Sequence, residues 1–413
     1  MASRLASHWA LDPNVTFLNH GSFGACPRVV IAAQDAFRTR MEREPIAFLV
    51  RALECEYDRV RARLGALLAC DADDLAFVTN ATSGVNTVLR SLTFRADDEI
   101  LITDHGYNAC NNAARWVAER AGARVTVASI PFPVASEDVV VERIVAAVTP
   151  KTRLAIVDHV TSPTGLVFPI ERITRELAAR NVDVLVDGAH APGMVALELD
   201  SLGTAYYTGN CHKWLCAPKA AAFLHVRRDK QADVVPLTIS HGRNSERTDR
   251  SRFRVDFDWV GTVDPTPWLA IPAALDFLAA LYPAGLSGLH AHNRALALSA
   301  RARLCSALDV PAPAPESMIG SLAAVPLPDR FVGLSDRTAE VIQKRLFDEH
   351  RIEVPMVPWG PRRHPLVRVS AQAYNDDADY EALVKGLTNV LALALGPRWE
   401  SVCNNRSHPV VGA

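Results

Sequence analysis

The chain has 413 residues, of which 49% are hydrophobic, and its 44 Lys+Arg against 46 Asp+Glu give a formal net charge of -2. This balance disfavours a disordered chain, and the lack of a basic excess disfavours a nucleic-acid-binding protein. No apolar run reaches the roughly 18 residues of a membrane span, and residues 1–14 lack a secretory signal core. We therefore expect a cytoplasmic protein of two or three domains.

Strand-like and helical segments alternate between about residues 60 and 230. Strands are predicted at 75–80, 99–105, 124–130, 153–160, 182–190 and 220–227, and helices at 81–92, 108–122 and 171–181. Apolar strands that alternate with helices predict an α/β fold in which helices cover both faces of the sheet. Ligands of such sheets usually bind beside the carboxyl ends of the strands.

The composition changes after about residue 265, where a long, mostly helical stretch begins. Residues 310–318 are Pro-rich and predict a loop, and an α+β pattern with a final helix follows. We expect an N-terminal arm at 1–25, a large α/β domain at 26–268, a small α+β domain at 269–395 and a poorly ordered tail at 396–413. The N-terminal segment is expected to pack on the small domain.

The segment YYTGNCHKWLCAPK places Lys213 just after a strand, among aromatic and small polar residues. A lysine in such surroundings has a lowered pKa, which a Schiff-base nucleophile requires. A surface lysine is the plainer alternative for this residue alone.

The segment VDVLVDGAHAPG places Asp187 at the end of an apolar strand, with His190 three residues later. A carboxylate at this edge needs a cationic or hydrogen-bonding partner, and a protonated pyridine nitrogen would be one. A helix-capping aspartate beside a packed histidine is the alternative interpretation.

The segment VTNATSGVN is a strand followed by small polar residues that open a helix. Backbone N–H groups there, with the hydroxyls of Thr82 and Ser83, form a natural phosphate cradle, although a simple helix cap would look similar. The segment is neither a P-loop nor a dinucleotide-binding fingerprint.

A zinc site is the alternative from a different class of function. Asp187, His190, Cys211 and His212 are all metal-ligand types, but they lack compact ligand spacing. The eight cysteines contain no C-x-x-C pair, so a structural zinc site is not indicated. We expect no metal.

Taken in order, T-S at a helix start, D-x-A-H at a strand end and H-K after a strand resemble the class V aminotransferase superfamily. LNHGSFGACP, VGTVDPTPWLA and LVRVSAQAYN extend the resemblance over about residues 15–385, and its nearest branch is that of the isopenicillin N epimerases. The resemblance implies a pyridoxal 5'-phosphate (PLP) enzyme of fold type I. This fold has a large domain with a mostly parallel sheet and a smaller α+β domain.

The resemblance also implies roles for individual residues toward the cofactor. Lys213 would form the Schiff base with PLP, and Asp187 would pair with its pyridine nitrogen. Tyr107 would stack on the ring, with His105 as the alternative. At the phosphate, the binding residues would be Thr82, Ser83 and His212, with Asn210 or Thr208 assisting. Ser162 and His190 would lie near the phenolic oxygen. Thr262 would contact the phosphate bound by the partner subunit, which implies a homodimer.

For the substrate, the resemblance implies that Arg368 binds the carboxylate and that Asn19 and His20 line the entrance. Tyr107 or His20 would act as the second acid or base. No cysteine occurs from 306 to 402, so a persulfide-forming desulfurase is not expected. The sequence therefore predicts an epimerase-type enzyme acting at the Cα of an amino acid. A C–S lyase is the first alternative and an aminotransferase the second.

Overall fold

The computed structural model describes residues 3–335 and 337–394. The strands are β1 (Thr16–Phe17), β2 (Leu75–Val78), β3 (Glu99–Thr103), β4 (Arg124–Ala128), β5 (Thr152–Asp158), β6 (Asp183–Asp187), β7 (Tyr206–Asn210), β8 (Ala222–Val226), β9 (Leu322–Pro326), β10 (Ile352–Glu353), β11 (Met356–Trp359) and β12 (His364–Ser370).

The helices alternate with these strands in the first half of the chain and dominate after it. They are α1 (His20–Phe23), α2 (Arg28–Arg43), α3 (Leu53–Leu68), α4 (Ala81–Ser91), α5 (Asn108–Ala121), α6 (Glu137–Ala146), α7 (Ile170–Ala178), α8 (Leu199–Leu202), α9 (Arg252–Phe257), α10 (Thr266–Leu269), α11 (Ile271–Ala280), α12 (Gly285–Leu308), α13 (Thr338–His350) and α14 (Asp377–Ala394).

The main sheet has the strand order β2-β8-β7-β6-β5-β3-β4. Strands β4, β3, β5, β6 and β7 are parallel, and β8 runs antiparallel to both β7 and β2. The prediction of a mostly parallel α/β sheet is confirmed. Its parallel strands place the carboxyl ends of β5, β6 and β7 at one edge of the sheet. The segments that contain Asp187 and Lys213 were expected to lie at this edge.

Two hydrophobic cores explain why the central strands are apolar on both faces. Val85 of α4 and Ala114 of α5 pack with Leu185 on one face, whereas Ile173 of α7 packs with Val186 on the other. Because neighbouring side chains along a strand point to opposite faces, β6 must be apolar at every central position. The sheet edge is therefore held rigidly from both sides.

The C-terminal half carries a three-stranded antiparallel sheet of order β11-β12-β9, packed by α12, α13 and α14. Strand β1 pairs in parallel with β10, and the Leu18 carbonyl accepts a hydrogen bond from the Ser370 N–H. The N-terminal segment therefore pairs with elements of the C-terminal half. The exact domain boundaries stay a prediction, and the tail at 396–413 lies outside the described residues.

In the part of the chain that the structure describes, no single helix has the length and apolar character of a membrane span. Taken together, Thr266–Ala280 and Gly285–Leu308 have enough apolar length, but the pair is bent by 70°. Leu275 and Leu304 of these segments lie in the hydrophobic core.

Candidate active site

A cleft of about 330 Å³ opens at the carboxyl ends of β5, β6 and β7. It collects most of the residues that the sequence singled out, although they are separated by up to about 130 positions. Its lining comprises Ser22, Phe23, Thr79, Asn80, Ala81, Thr82, Tyr107, Asp158, Val160, Ser162, Asp187, Ala189, His190, Asn210, His212, Lys213 and Ala220.

Lys213 projects into this cleft from the loop that follows β7. Burial, reinforced by the positive charge of Arg368, lowers its pKa from 10.5 to about 8, although Asp187 and Asp158 act in the opposite direction. A substantial fraction of the amine is therefore neutral in mildly alkaline solution. Such an amine can act as a nucleophile or accept a proton.

Two glycines hold the lysine loop in place by close approach of their backbones. A Cβ atom on Gly24 would lie 2.1 Å from the His212 carbonyl oxygen, and one on Gly193 would lie 2.5 Å from the Trp214 carbonyl carbon. Both glycines have positive φ, at 70° and 86°. Only glycine fits such positions without strain, so the direction of the Lys213 side chain is fixed by the backbone around it.

The Lys213 amine lies 3.1 Å from Nε2 of His190. The other ring nitrogen, Nδ1, accepts a hydrogen bond of 3.2 Å from the Trp214 indole. Burial, followed by the positive charges of Lys213 and Arg368, keeps the pKa of His190 well below its ordinary value. His190 is thus a neutral imidazole in contact with the lysine.

Asp187 ends β6 and is almost completely buried, with 2% of its surface exposed. Its Oδ1 accepts the Ala189 N–H at 3.0 Å, and its Oδ2 accepts the thiol of buried Cys110 at 3.1 Å. This is the Asx-type contact that the capping interpretation anticipated. The same carboxylate also faces the cleft, where a cationic ring nitrogen would find its partner.

Asp158 lies opposite Asp187 in the register of β5 and β6 and lines the same cleft. Burial and the neighbouring Asp187 carboxylate raise its pKa well above the ordinary value, despite backbone hydrogen bonds from Tyr107 and Ser162. Two buried carboxyls this close do not both ionise readily. The raised pKa favours the protonated, neutral form of the Asp158 carboxyl.

The N-terminus of α4 forms one end of the cleft. Its cap is Asn80, whose side chain accepts the Ser83 N–H at 2.8 Å, while Asn210 accepts the Ala81 N–H at 2.8 Å. Thr82 lines the cleft at this end, and the positive end of the helix dipole favours an anion.

The other residues expected at the phosphate fall into two groups. His212 and Asn210 line the cleft, and burial lowers the pKa of His212 to about 4. Ser83 and Thr208 do not line it. The Ser83 hydroxyl bonds to Thr79 and Asn80, and the Thr208 hydroxyl donates to the Phe223 carbonyl.

The structure separates the two alternatives for the stacking residue. Tyr107 lines the cleft, and burial raises the pKa of its phenol. His105 is fully buried elsewhere, with Nδ1 bonded to Thr164 at 2.7 Å and Nε2 to the Ile130 carbonyl at 3.0 Å. The geometry favours Tyr107 for contact with a ring in the cleft.

Arg368 lies in β12, behind the cleft wall. Its guanidinium donates to the carbonyl and hydroxyl of Ser162 at 2.5 and 3.2 Å and to the Ser22 hydroxyl at 3.1 Å. The buried Nε has no hydrogen-bond partner among the described residues. Burial lowers the pKa of Arg368 to about 10. A buried cation that pairs with no carboxylate among the described residues fits the binding of an anionic substrate group.

Three further predicted residues also lie off the cleft lining. His20 is fully buried behind the lysine loop, with Nδ1 bonded to the Tyr374 hydroxyl at 2.9 Å and Nε2 near the Lys213 carbonyl at 3.0 Å. Asn19 contacts Ser22 and Glu353 rather than the cleft. Its Oδ1 orients the serine that reaches Arg368.

The third of these residues, Thr262, is exposed on the surface after α9. This position is compatible with the expected contact across a subunit boundary, which a single chain does not test. Its role stays a prediction.

Sequence reasoning did not single out Asn80, Asp158 or Ser22, all of which line the cleft. The motif that predicted a phosphate cradle already contained Asn80 in the capping position. Asp158 lies near the carboxyl end of a predicted strand, as Asp187 does, and the same argument would have identified it. Ser22 carried no comparable signal, because its position depends on pairing between β1 and β10.

The zinc alternative finds no support in the described residues, where no three His, Cys, Asp or Glu side chains converge as a ligand set. Cys211 is fully buried and does not line the cleft with Asp187 and His190.

PLP, in contrast, fits the residues that are present. The cleft combines a buried carboxylate for the pyridine nitrogen, a helix N-terminus for the phosphate and an amine of lowered pKa. These three groups lie on one cleft, as the three ends of a single cofactor require.

Comparison with known proteins agrees with this geometry. The sequence model described as Aminotransferase class-V matches residues 17–328. An isopenicillin N epimerase of Amycolatopsis lactamdurans is 37% identical over 93% of this chain and 98% of its own. A putative L-cysteine desulfhydrase 1 of Oryza sativa subsp. japonica is 29% identical over 92% of this chain and 84% of its own.

Among solved structures, the cystine C–S lyase C-DES in complex with cysteine persulfide superimposes with a TM-score of 0.76. The match covers 91% of this chain and 98% of that chain, at 22% sequence identity. At this identity the likeness establishes the fold and carries no conclusion about the reaction.

Proposed function

Because the chain belongs to the class-V aminotransferase family and is a PLP-dependent enzyme, we propose that it is an epimerase or racemase that acts at the Cα of an amino-acid substrate. The observation that carries this proposal is the pairing of Lys213 and Tyr107 in one cleft. Their pKa values are moved in opposite directions, which is the pattern of a base and an acid with separate roles.

Bound PLP would supply the electron sink for breaking a bond at Cα. Asp187, buried and held by Ala189 and Cys110, would keep the pyridine nitrogen protonated through an ion pair. Thr82, Asn210 and His212 would hold the phosphate at the N-terminus of α4. These contacts would orient the substrate before any proton moves.

Lys213 would take the Cα proton at Nζ, because its lowered pKa leaves a neutral amine available near pH 8. Tyr107 would supply a proton from a second position, because burial raises the pKa of its phenol and keeps it protonated. Removal by one group and delivery by the other would invert the centre.

The substrate would carry a free carboxylate, which Arg368 and the hydroxyls of Ser22 and Ser162 would bind. A planar guanidinium matches a carboxylate through two parallel hydrogen bonds. The relative named isopenicillin N epimerase makes isopenicillin N the first substrate to test.

A C–S lyase reaction is the second candidate, and the similarity to a putative L-cysteine desulfhydrase favours it. The same Lys213 base would serve an elimination in which the Cβ–S bond breaks after loss of the Cα proton. Residues 306–402 contain no cysteine, so no persulfide is expected on the loop before Arg368.

We also propose a homodimer with shared active sites. Phe23, which lines the cleft, is 63% exposed, and Ile46, Val50 and Val263 are exposed as well. Large apolar side chains in these positions favour coverage by a second copy of the chain, which would bring Thr262 to the partner's phosphate site.

The test is a product analysis in deuterated water. The holoenzyme is incubated separately with isopenicillin N, L-cysteine and a panel of L-amino acids. An epimerase would give deuterium at Cα together with the inverted stereoisomer, seen by proton NMR and chiral chromatography.

Sulfide, pyruvate and ammonia from L-cysteine without inversion of other substrates would select the lyase instead. Transfer of the amino group to a 2-oxo acid would select an aminotransferase. Lys213→Ala serves as the control, and any activity that it retains would not belong to this site.

A further inference from the structure

The indole of Trp214 is fully buried next to the catalytic lysine, and its N–H points at Nδ1 of His190 from 3.2 Å. An indole nitrogen can donate a hydrogen bond but cannot accept one. Nδ1 of His190 must therefore be the acceptor, which means that it carries no proton.

The protonation of Nε2, the other ring nitrogen of His190, then decides whether it donates a hydrogen bond to the Lys213 amine or accepts one from it. His190 is 2% exposed, and burial together with the positive charge of Arg368 favours the neutral imidazole. A neutral imidazole without a proton on Nδ1 carries it on Nε2. This N–H lies 3.1 Å from the Lys213 amine, which can accept it only through the lone pair of its neutral form.

We propose that Trp214 is a positioning residue that locks His190 in the Nε2–H tautomer. The locked ring presents a donor to Lys213 and the cleft. In the opposite tautomer, Nε2 would present a lone pair, which favours a charged lysine and leaves no free base. The inference concerns PLP chemistry at this site and holds whichever reaction at Cα the enzyme performs.

The surroundings of Trp214 keep the indole in this orientation. Its ring centroid lies 4.9 Å from that of His20, and its carbonyl carbon would be 2.5 Å from a Cβ on Gly193. Besides Lys213 and Arg368, the titratable groups that act on His190 are His20 and His212. Burial lowers the pKa of both, to about 3 and about 4, so neither places a fixed charge beside the ring near neutral pH.

The experiment measures the tautomer directly in the full-length holoenzyme labelled with ¹⁵N-histidine. The His190 ring signals are those lost in His190→Asn. For the wild type near pH 7.5 we expect Nδ1 to show the shift of an unprotonated nitrogen and Nε2 that of a protonated one. In Trp214→Phe, which keeps an aromatic ring but no donor, protonated Nδ1 should become populated.

Trp9→Phe is the matched control, because Trp9 is also a buried indole but donates to the Ala25 carbonyl at 3.2 Å. This control should leave the His190 tautomer unchanged. Trp214→Phe should lower kcat by about tenfold, the loss expected for one hydrogen bond at a reacting group, with a smaller change in KM.

A wild-type His190 that is protonated on Nδ1, or on both nitrogens, would overturn the proposal even if Trp214→Phe does not fold. A folded Trp214→Phe protein with an unchanged tautomer would overturn it as well. Because the readout is a ring shift, its failure is distinguishable from failure of the proposed epimerase activity.

Discussion

At the residue scale, the two aspartates at the ends of β5 and β6 line one cleft but have different surroundings. Asp187 has two hydrogen-bond donors on its oxygens, whereas burial beside Asp187 raises the pKa of Asp158. Environment rather than residue type separates their roles. Sequence reasoning identified Asp187 but could not assign a neutral partner, because the pairing of the strands sets which carboxyls are neighbours.

Asp187→Asn is expected to lower kcat/KM about a hundredfold or more, as the loss of a preorganised electrostatic contact typically does, while the protein still folds. Steady-state kinetics and circular dichroism of the variant provide the measurement. Asp183→Asn is the control, because Asp183 lies at the other end of β6 and pairs with Lys230. Near-normal activity of Asp187→Asn would reduce this carboxylate to a turn-capping role.

Lys213→Met tests the lowered pKa through stability of the apoenzyme. The folded pKa of about 8 lies below the ordinary 10.5, so the unfolded chain binds more protons between these pH values and stability rises with pH there. Below about pH 8 the charged lysine costs up to roughly 3 kcal/mol. Apo Lys213→Met should therefore be more stable than the wild-type apoenzyme at pH 7.

That difference should shrink as the pH rises from about 8 toward 10.5, as measured by urea unfolding at several pH values. Lys385→Met replaces an exposed lysine and sets the baseline. A stability difference that does not change with pH would show that Lys213 titrates as an ordinary lysine.

At the scale of elements, the site depends on close contacts between loops, and a glycine is the only sign of such a contact in the sequence. Alternation of strands and helices was enough to predict the sheet and the edge at which Lys213 and Asp187 meet. The backbone contact between Gly193 and Trp214 could not be predicted, because it joins two loops from different strand ends. The same holds for the pairing of β1 with β10 across more than 300 residues, which positions Ser22.

Gly193→Ala should destabilise the protein and weaken PLP binding, because the new Cβ would lie 2.5 Å from the Trp214 carbonyl carbon. Gly203→Ala is a matched control with positive φ and no atom nearer than 4.0 Å, so it isolates the conformational cost of about 1 kcal/mol. We expect a clearly larger fall in Tm and PLP affinity for Gly193→Ala. Equal effects of the two substitutions would refute the close-packing account.

At the scale of the whole molecule, the family and the fold were predicted from sequence motifs. The residues of the main motifs, Thr82, Asp187 and Lys213, line one cleft in the folded chain. The proposed homodimer would use apolar side chains that are exposed on the single chain, such as Phe23 and Val263. A cytoplasmic location also stays a prediction from composition.

Thr262→Val should weaken PLP retention at least about tenfold, since a hydrogen bond to a charged phosphate contributes about 1.5–3 kcal/mol. By linkage, dimerisation should weaken together with it. Equilibrium dialysis and analytical ultracentrifugation measure the two effects. Thr388→Val, on the exposed face of α14, is the control. A monomeric wild-type protein with full cofactor would contradict the shared site.

The central claim is that this cleft holds PLP through Lys213. Borohydride reduction of the holoenzyme followed by peptide mapping tests it most directly, because the chain has only six lysines. We predict one pyridoxyl label per chain, on Lys213, and no label in Lys213→Ala. A label on Lys219, whose amine instead bonds to the Gly24 carbonyl, or on any other lysine would contradict the account.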